Sequence, residues 1–410
     1  MDSRGRSFVI IGVVVLISAY IFRRSELLYV GTLLIGLPVV ALLTLRFRRR
    51  LLGVSRHFDP AFAEAGWPVT VKVVVRNLGS TRSGEAMWRD VWPWAPFGPA
   101  PTRLRALPRR IGVTGMASTT VSYSLKPPRR GVFDIGPFVV EVSDPFRVAW
   151  GEVTLGSTQK LVVTPRVVDL PITRLSIAAQ DGSDRAQRRL HGGAGGDLTT
   201  REYRHGDPLR RVHWKASARH GELMVRREEQ RSHAQARIVL DTRRGGYRDA
   251  VSPSDDEPES DSFEWSVAFT ASLRFHLQRI GFTVEIVETG YPQIVQSDQH
   301  QQFLGSLAEL ELVDGLQQRV FLSLPPAVGR SLGSVFAIVA DAEPRTVDSL
   351  IGQRAQFGTA VAFVVDPHND LVLGSLRDAG WLCVIVKTTD DLAEVWRTAA
   401  ELREAHSADS

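Results

Sequence analysis

Two apolar runs stand close together near the start of this chain, and they limit what the rest of it can be. Residues 8–22 are apolar apart from Gly12 and Ser18, residues 27–45 form a second run, and only Arg23, Arg24, Ser25 and Glu26 lie between them. A bilayer core is crossed by about 20 apolar residues in a helix, so the pair predicts a tight transmembrane hairpin within residues 1–50. A signal peptide would share the basic start at Arg4 and Arg6, but no small-x-small cleavage site follows and a second span comes at once. Arg4 and Arg6 before the hairpin, with Arg46, Arg48, Arg49 and Arg50 after it, outweigh Arg23 and Arg24 in the turn. Basic residues stay on the cytoplasmic side. The expectation is a multi-pass protein of the cell membrane whose N-terminus and soluble part are both cytoplasmic.

The 410 residues, 43% of them hydrophobic, leave room for two further domains with real cores. The net charge of +5 sits largely beside the apolar runs, which ties it to membrane topology before nucleic acid. The single cysteine, Cys383, lies in the apolar stretch 381–386 and reads as a core residue; no Cys/His zinc spacing is present, and no cofactor is expected.

Residues 51–170 read as β. The runs 69–75 and 138–142 are rich in β-branched residues, punctuated by Asn77-Leu78-Gly79, Pro127-Pro128 and Gly136-Pro137. Strands spaced this way without a long amphipathic helix predict a small all-β sandwich. Trp88, Trp92 and Trp94 fall in a Pro-rich connection, read as a loop folded over one end of the sandwich, with an exposed contact patch as the lesser alternative. Residues 171–197, containing Gly192, Gly193, Gly195 and Gly196, read as a connector. They lack the spacing of a phosphate-binding loop.

From residue 236 to 405 the pattern alternates. Strands are expected near 236–241, 282–287, 335–340, 360–365 and 382–386, with helices near 263–280, 301–311 and 392–403, which predicts a mostly parallel sheet covered by helices. Sites in such sheets lie at the carboxyl ends of strands, where Asp241, Asp341 and Asp366 fall. The acidic, Pro-rich stretch 252–262 reads as a solvated insertion.

Between the β and α/β regions, residues 198–235 concentrate polar and aromatic chemistry: Arg201, Glu202, Tyr203, Asp207, Arg210, His213, Trp214, Lys215, Ser217 and Arg219. Asp207 followed by Pro208 reads as a helix start and His220-Gly221 as its stop. A helix of about three turns would bury Leu209, Val212 and Ala216 and gather Arg210, His213, Trp214 and Ser217 on an adjoining face.

With these residues on the page, the chain resembles the bacterial membrane proteins grouped as domain of unknown function 58. The resemblance rests on the two spans, on Arg129-Arg-Gly-Val-Phe-Asp-Ile-Gly-Pro137 and Asp144-Pro-Phe146, and on the central motif from Arg201 to Arg219. It implies a von Willebrand factor A-like fold for the α/β domain and a MoxR-type AAA+ ATPase as partner. A working adhesion site in that fold would need Asp-x-Ser-x-Ser after the first strand, to supply hard oxygen ligands to Mg²⁺. This chain has Asp241-Thr-Arg-Arg-Gly245 there, so Asp241 marks a degenerate metal position.

Three functions follow from these readings. The first is a non-catalytic, membrane-anchored adaptor or assembly protein that binds its partner through the central motif and the α/β domain. The second is a hydrolase with His213 as base, Ser217 as nucleophile and Glu202 or Asp207 as the orienting carboxylate. A helix interior offers no preformed oxyanion site, which disfavours it. The third is an anionic-polymer or lipid-binding module using Arg201, Arg204, Arg210, Arg211, Lys215, Arg219, Arg226, Arg227 and Arg231 around Tyr203 and Trp214. Six carboxylates between Asp197 and Arg231 make nucleic acid the weaker reading.

Overall fold

In a computed structural model of the chain the described residues are 3–47, 52–95, 100–109, 117–144, 148, 150–176, 200–203, 212, 214–226, 234–251, 259–314, 333–368 and 370–408. They form two compact units, one ending at Thr164 and the other starting at Pro165.

The first unit begins with two helices, α1 (Ser3–Phe22) and α2 (Ser25–Phe47). Each contains a stretch, Arg4–Phe22 and Ser25–Leu43, long and apolar enough to cross a membrane, with a mean hydropathy of 2.1. Ile10, Ile17, Tyr20, Tyr29, Leu33 and Val40 face outward, an apolar surface that none of the described residues covers. The helices touch at Gly12 and Gly31. A Cβ on Gly12 would stand 2.7 Å from the Ile35 side chain, and one on Gly31 would stand 2.6 Å from Leu16. Small residues at such crossings let backbones approach where no hydrophobic effect drives association.

Ten strands follow: β1 (Leu52–Asp59), β2 (Phe62–Glu64), β3 (Val69–Asn77), β4 (Ala86–Asp90), β5 (Thr102–Leu104), β6 (Ser118–Leu125), β7 (Gly131–Ile135), β8 (Phe138–Ser143), β9 (Trp150–Leu155) and β10 (Gln159–Thr164). They pair as three sheets, β1-β3-β6, β2-β10-β7 and β5-β4-β8-β9, antiparallel except for β2 beside β10. In β3 the alternation is complete: Val69, Val71, Val73 and Val75 are buried while Thr70, Lys72 and Arg76 face out. The buried set joins Trp88 and Phe138 of one sheet to Phe133 and Leu161 of another in a single core.

The tryptophans belong to this core and form no contact patch. Trp88 lies within β4 itself and stacks on Phe138, Trp92 stacks on Tyr123, and Trp94 meets the edge of Phe133. At its centre Arg56 donates from Nε and Nη2 to the two carboxylate oxygens of Asp90, at 2.8 and 2.7 Å, and from Nη1 to the Ser157 carbonyl. The Tyr123 hydroxyl donates to the same carboxylate at 2.7 Å; burial first, and then the Asp90 charge, push its pKa up. One arginine, with Gly136 packed against its guanidinium, thus bonds β1 to the end of β4 and to the β9–β10 turn.

The second unit opens with three short elements, β11 (Thr200–Glu202), α3 (Trp214–His220) and β12 (Met224–Arg226). A five-stranded parallel sheet follows, as the alternating pattern requires. Its strands are β13 (Gln235–Leu240), β14 (Thr283–Glu288), β15 (Ser334–Val339), β16 (Thr359–Val365) and β17 (Leu382–Val386), in the order β14-β13-β15-β16-β17. The helices are α4 (Asp261–Arg279), α5 (His300–Ala308), α6 (Pro344–Gln353), α7 (Asp370–Asp378) and α8 (Leu392–Ala408). Every residue of β15 and β16 is buried, because helices cover both faces. Phe263, Phe269, Phe336, Phe363 and Trp396 fill one side, and Val335, Ala337, Val364, Leu373 and Leu376 the other.

Two boundaries differ from expectation. The predicted connector starts at 171, yet Leu170 and Leu175 are buried in the α/β core, Ser176 Oγ lies 2.9 Å from His276 Nε2, and Trp396 Nε1 donates to the Pro171 carbonyl. The remainder, 177–197, lies outside the described residues. The predicted solvated insertion ends in ordered structure: Ser260 caps α4 by accepting from the Phe263 amide, and buried Glu259 pairs with Arg244 while accepting from the Leu312 amide. A carboxylate is buried there because a cation and an amide neutralise it. Residues 252–258 lie outside the described residues.

Candidate functional site

Two features of the second unit carry chemistry: the central motif and the carboxyl ends of the parallel strands. The motif folds as a small hairpin with a helix inside it. β11 pairs antiparallel with β12, in the register Thr200–Arg226, Arg201–Val225 and Glu202–Met224, and the Tyr203 amide donates to the Leu223 carbonyl at 2.8 Å. Between them lies α3, closed by Gly221 at φ +76° with its amide on the Ser217 carbonyl, as the His220-Gly221 stop predicts.

Of the expected three-turn helix the described part is α3, and it does not run on through Val212. Val212 forms an antiparallel bridge to Val225, and both side chains are buried. A residue whose backbone pairs with a strand cannot also be the second turn of a helix, so Val212 and Ala216 do not form one helical stripe. The described helix, Trp214–His220, follows the bridge. Asp207, Arg210 and His213 lie outside the described residues. Arg201, Glu202 and Lys215 are placed by their backbone, in β11 and α3. Arg219 is exposed and Tyr203 half-buried.

Trp214 is 68% exposed at the start of α3, and Leu223 is exposed beside the helix stop. Ser217, one turn on, is engaged with the neighbouring strand: its Oγ accepts from the Met224 amide at 2.8 Å. That bond pins α3 to β12. A hydroxyl already holding a strand amide is placed for structure, which weakens its reading as a nucleophile.

At the sheet, the strand order reverses between β13 and β15, the switch point where open parallel sheets form their crevice. Asp241 and Asp341 follow these two strands, and Asp366 follows β16, where it adopts φ +42°. Asp241 is fully buried. Its Oδ1 accepts from the Thr289 hydroxyl at 2.5 Å and from the Arg243 amide at 3.2 Å. Its Oδ2 has no hydrogen bond among the described residues and lies against Gly246, where a Cβ would approach it to 2.6 Å. Burial pushes its pKa up to about 6, against the downward pull of Thr289 and Arg243.

The serine positions of an adhesion site carry Arg243 and Gly245. Arg243 is buried, donating from Nε to the Thr289 carbonyl and from Nη1 to Glu343, both at 3.0 Å. A fixed guanidinium thus stands two residues from the strand-end carboxylate. Among the described residues no three His, Cys, Asp or Glu side chains converge as a metal site.

Beside this plug, a cleft of about 510 Å³ opens at the ends of β15, β16 and β17. Its wall includes Arg248, Asp341, Asp366, His368 and Lys387. The Asp341 carboxylate binds Arg248 Nε at 2.8 Å, accepts from the His368 amide at 3.1 Å and has His368 Nδ1 at 3.6 Å. Asp366 accepts from the Thr388 amide at 3.2 Å. The strand-end aspartates were legible in the sequence. Arg248, His368 and Lys387 were not, because they come from three separate loops with no shared spacing.

Residues 199–280 match the family described as "Protein of unknown function DUF58", so the resemblance read from the motif holds. No curated protein matches the chain. Among solved structures, the CARDB domain of the PF1109 protein from Pyrococcus furiosus aligns at 15% identity over 27% of this chain and 86% of that one, with a TM-score of 0.19. The alkylpurine DNA glycosylase AlkC of Pseudomonas fluorescens aligns at 9% identity over 34% and 38%, with a TM-score of 0.18. Neither likeness is close enough to bear on fold or function.

Proposed function

We propose, from the match to that uncharacterised family, that this is a membrane-anchored adaptor whose soluble part binds a partner protein through the central motif and the α/β unit. The hairpin of α1 and α2 spans the bilayer, and the basic residues flanking it keep both soluble units in the cytoplasm. The β region is read as a sandwich and the α/β unit as a von Willebrand factor A-like domain whose metal position has been replaced by the Arg243–Glu343 pair. The family resemblance makes a MoxR-type AAA+ ATPase the partner.

The observation that carries this reading is Trp214, a large aromatic left 68% exposed on a helix that Ser217 fixes in place. Trp88, Trp92, Trp265, Trp381 and Trp396 are buried; Trp67 at 58% and Trp150 at 54% are also exposed, and Trp214 is the most exposed of the described tryptophans. An aromatic held out on a rigid, cation-flanked element is the composition of an interface anchor. Affinity capture of the ATPase by the detergent-solubilised full chain tests it: Trp214→Ala is expected to lower capture at least tenfold with the fold retained. Equal capture would remove the motif from the interface.

A further inference from the structure

The opposite edge of the parallel sheet, where β16 and β17 begin, holds a second cavity, of about 360 Å³. Arg354, Thr359, Gly380, Leu382, Arg403 and His406 line it. The two arginines come from different elements, Arg354 directly after α6 and Arg403 from α8. Each is held in place by neutral acceptors. Arg354 donates from Nε to the Gly380 carbonyl and from Nη1 to the Phe357 carbonyl, both at 2.8 Å. Arg403 donates from Nη1 to the Thr359 hydroxyl at 3.0 Å.

Neither makes an ion pair among the described residues, nor does buried Arg274, which donates to the Ser297 carbonyl, whereas buried Arg237 and Arg243 and half-buried Arg244 each have a carboxylate partner. Arg354 Nη2 and Arg403 Nε and Nη2 donate to nothing among the described residues. Burial alone pushes the pKa of both guanidiniums down, with no carboxylate opposing it. Two half-buried cations thus face one cavity with no carboxylate partner among the described residues, an arrangement that an incoming anion can complete. Guanidinium groups with free donors on separate walls suit a tetrahedral oxyanion, since each can fork onto two of its oxygens.

We propose that this cavity binds a phosphate group, between Arg354 and Arg403. Its volume exceeds what inorganic phosphate needs and lies at the lower end of small-ligand sites, which leaves room for a small group esterified to the phosphate. The group can be borne by a soluble phosphorylated molecule or by a phospholipid headgroup, and the site recognises the shared chemistry. It is independent of the strand-end cleft and of the central motif.

The test uses the full chain in a neutral detergent, with inorganic phosphate and dihexanoyl phosphatidic acid as separate probes and acetate at equal ionic strength as control. Unfolding temperature and calorimetric affinity are read for the wild type, Arg354→Gln and Arg403→Gln, and circular dichroism confirms that each variant is folded. Phosphate is expected to raise the unfolding temperature above the acetate control, with affinity at least tenfold weaker in either variant. Phosphatidic acid binding tenfold tighter than phosphate would assign the site to headgroups, and equal binding to soluble phosphates. Arg403→Lys, which keeps the charge, is expected to recover part of the affinity and guards against a merely structural loss. The proposal fails if neither probe stabilises more than acetate, or if both glutamine variants bind as the wild type does.

Discussion

Replacing Asp241 with asparagine should make the protein more stable at neutral pH, an unusual outcome for a fully buried residue. The carboxylate is buried with one oxygen bonded and the other without a partner among the described residues, and its pKa stands at about 6 against an ordinary 3.8. A rise of about two units means the folded state holds its proton more tightly than the unfolded chain does. The sign follows: that stabilisation is complete below about pH 4 and is lost as pH rises through about 6, a loss of about 3 kcal/mol. Asparagine keeps an oxygen for the Thr289 hydroxyl and the Arg243 amide but carries no charge to desolvate. The variant should therefore gain on the order of 2–3 kcal/mol over the wild type at pH 7.5, and nothing at pH 4. Hydrogen exchange of the peptide containing β13, followed from pH 4 to 8, isolates this unit from the rest of the chain. The reasoning fails if the Asp241→Asn variant is less protected than the wild type at pH 7.5, or if it keeps the wild-type slope between pH 4 and 6.5.

Other perturbations have equally direct readouts. Arg56→Met leaves the Asp90 carboxylate buried without its cation and should cost about 3–5 kcal/mol, seen as a lower denaturation midpoint of the β unit. The Cys383 thiol is pushed up to about 11 by burial, so labelling by a thiolate-directed reagent at pH 8 should be far slower than for a free cysteine and should accelerate only on denaturation. Ser217→Ala removes the acceptor of the Met224 amide and should cost about 1 kcal/mol, read as faster exchange at Met224.

Much of the architecture was legible because the signals that encode it are long. The apolar runs predict α1 and α2, and β-branched strands with aspartate ends predict the parallel sheet and the positions of Asp241, Asp341 and Asp366. Two helices were missed. α6 and α7 have 10 and 9 residues, with Gly352 in one and Gly374 in the other, and their apolar stripes are too short to separate from loop. The motif misled in the other direction: Leu209, Val212 and Ala216 have helical spacing, but long-range pairing of Val212 with Val225 overrides it. The insertion failed similarly, because its composition gave no sign that Arg244 would draw Glu259 into the fold. Arg354 and Arg403 lie 49 positions apart in the sequence, with no motif linking them; only the sheet brings them to one cavity.

Site-specific photo-crosslinking at position 214 tests the central claim most directly. With a photoreactive phenylalanine analogue replacing Trp214, the membrane-inserted chain is irradiated with a purified MoxR-type ATPase, and position 371, an exposed residue on α7, serves as control. The account predicts an adduct to the ATPase from position 214 that is absent from 371. No adduct from 214, under conditions where the two proteins co-purify, would contradict it.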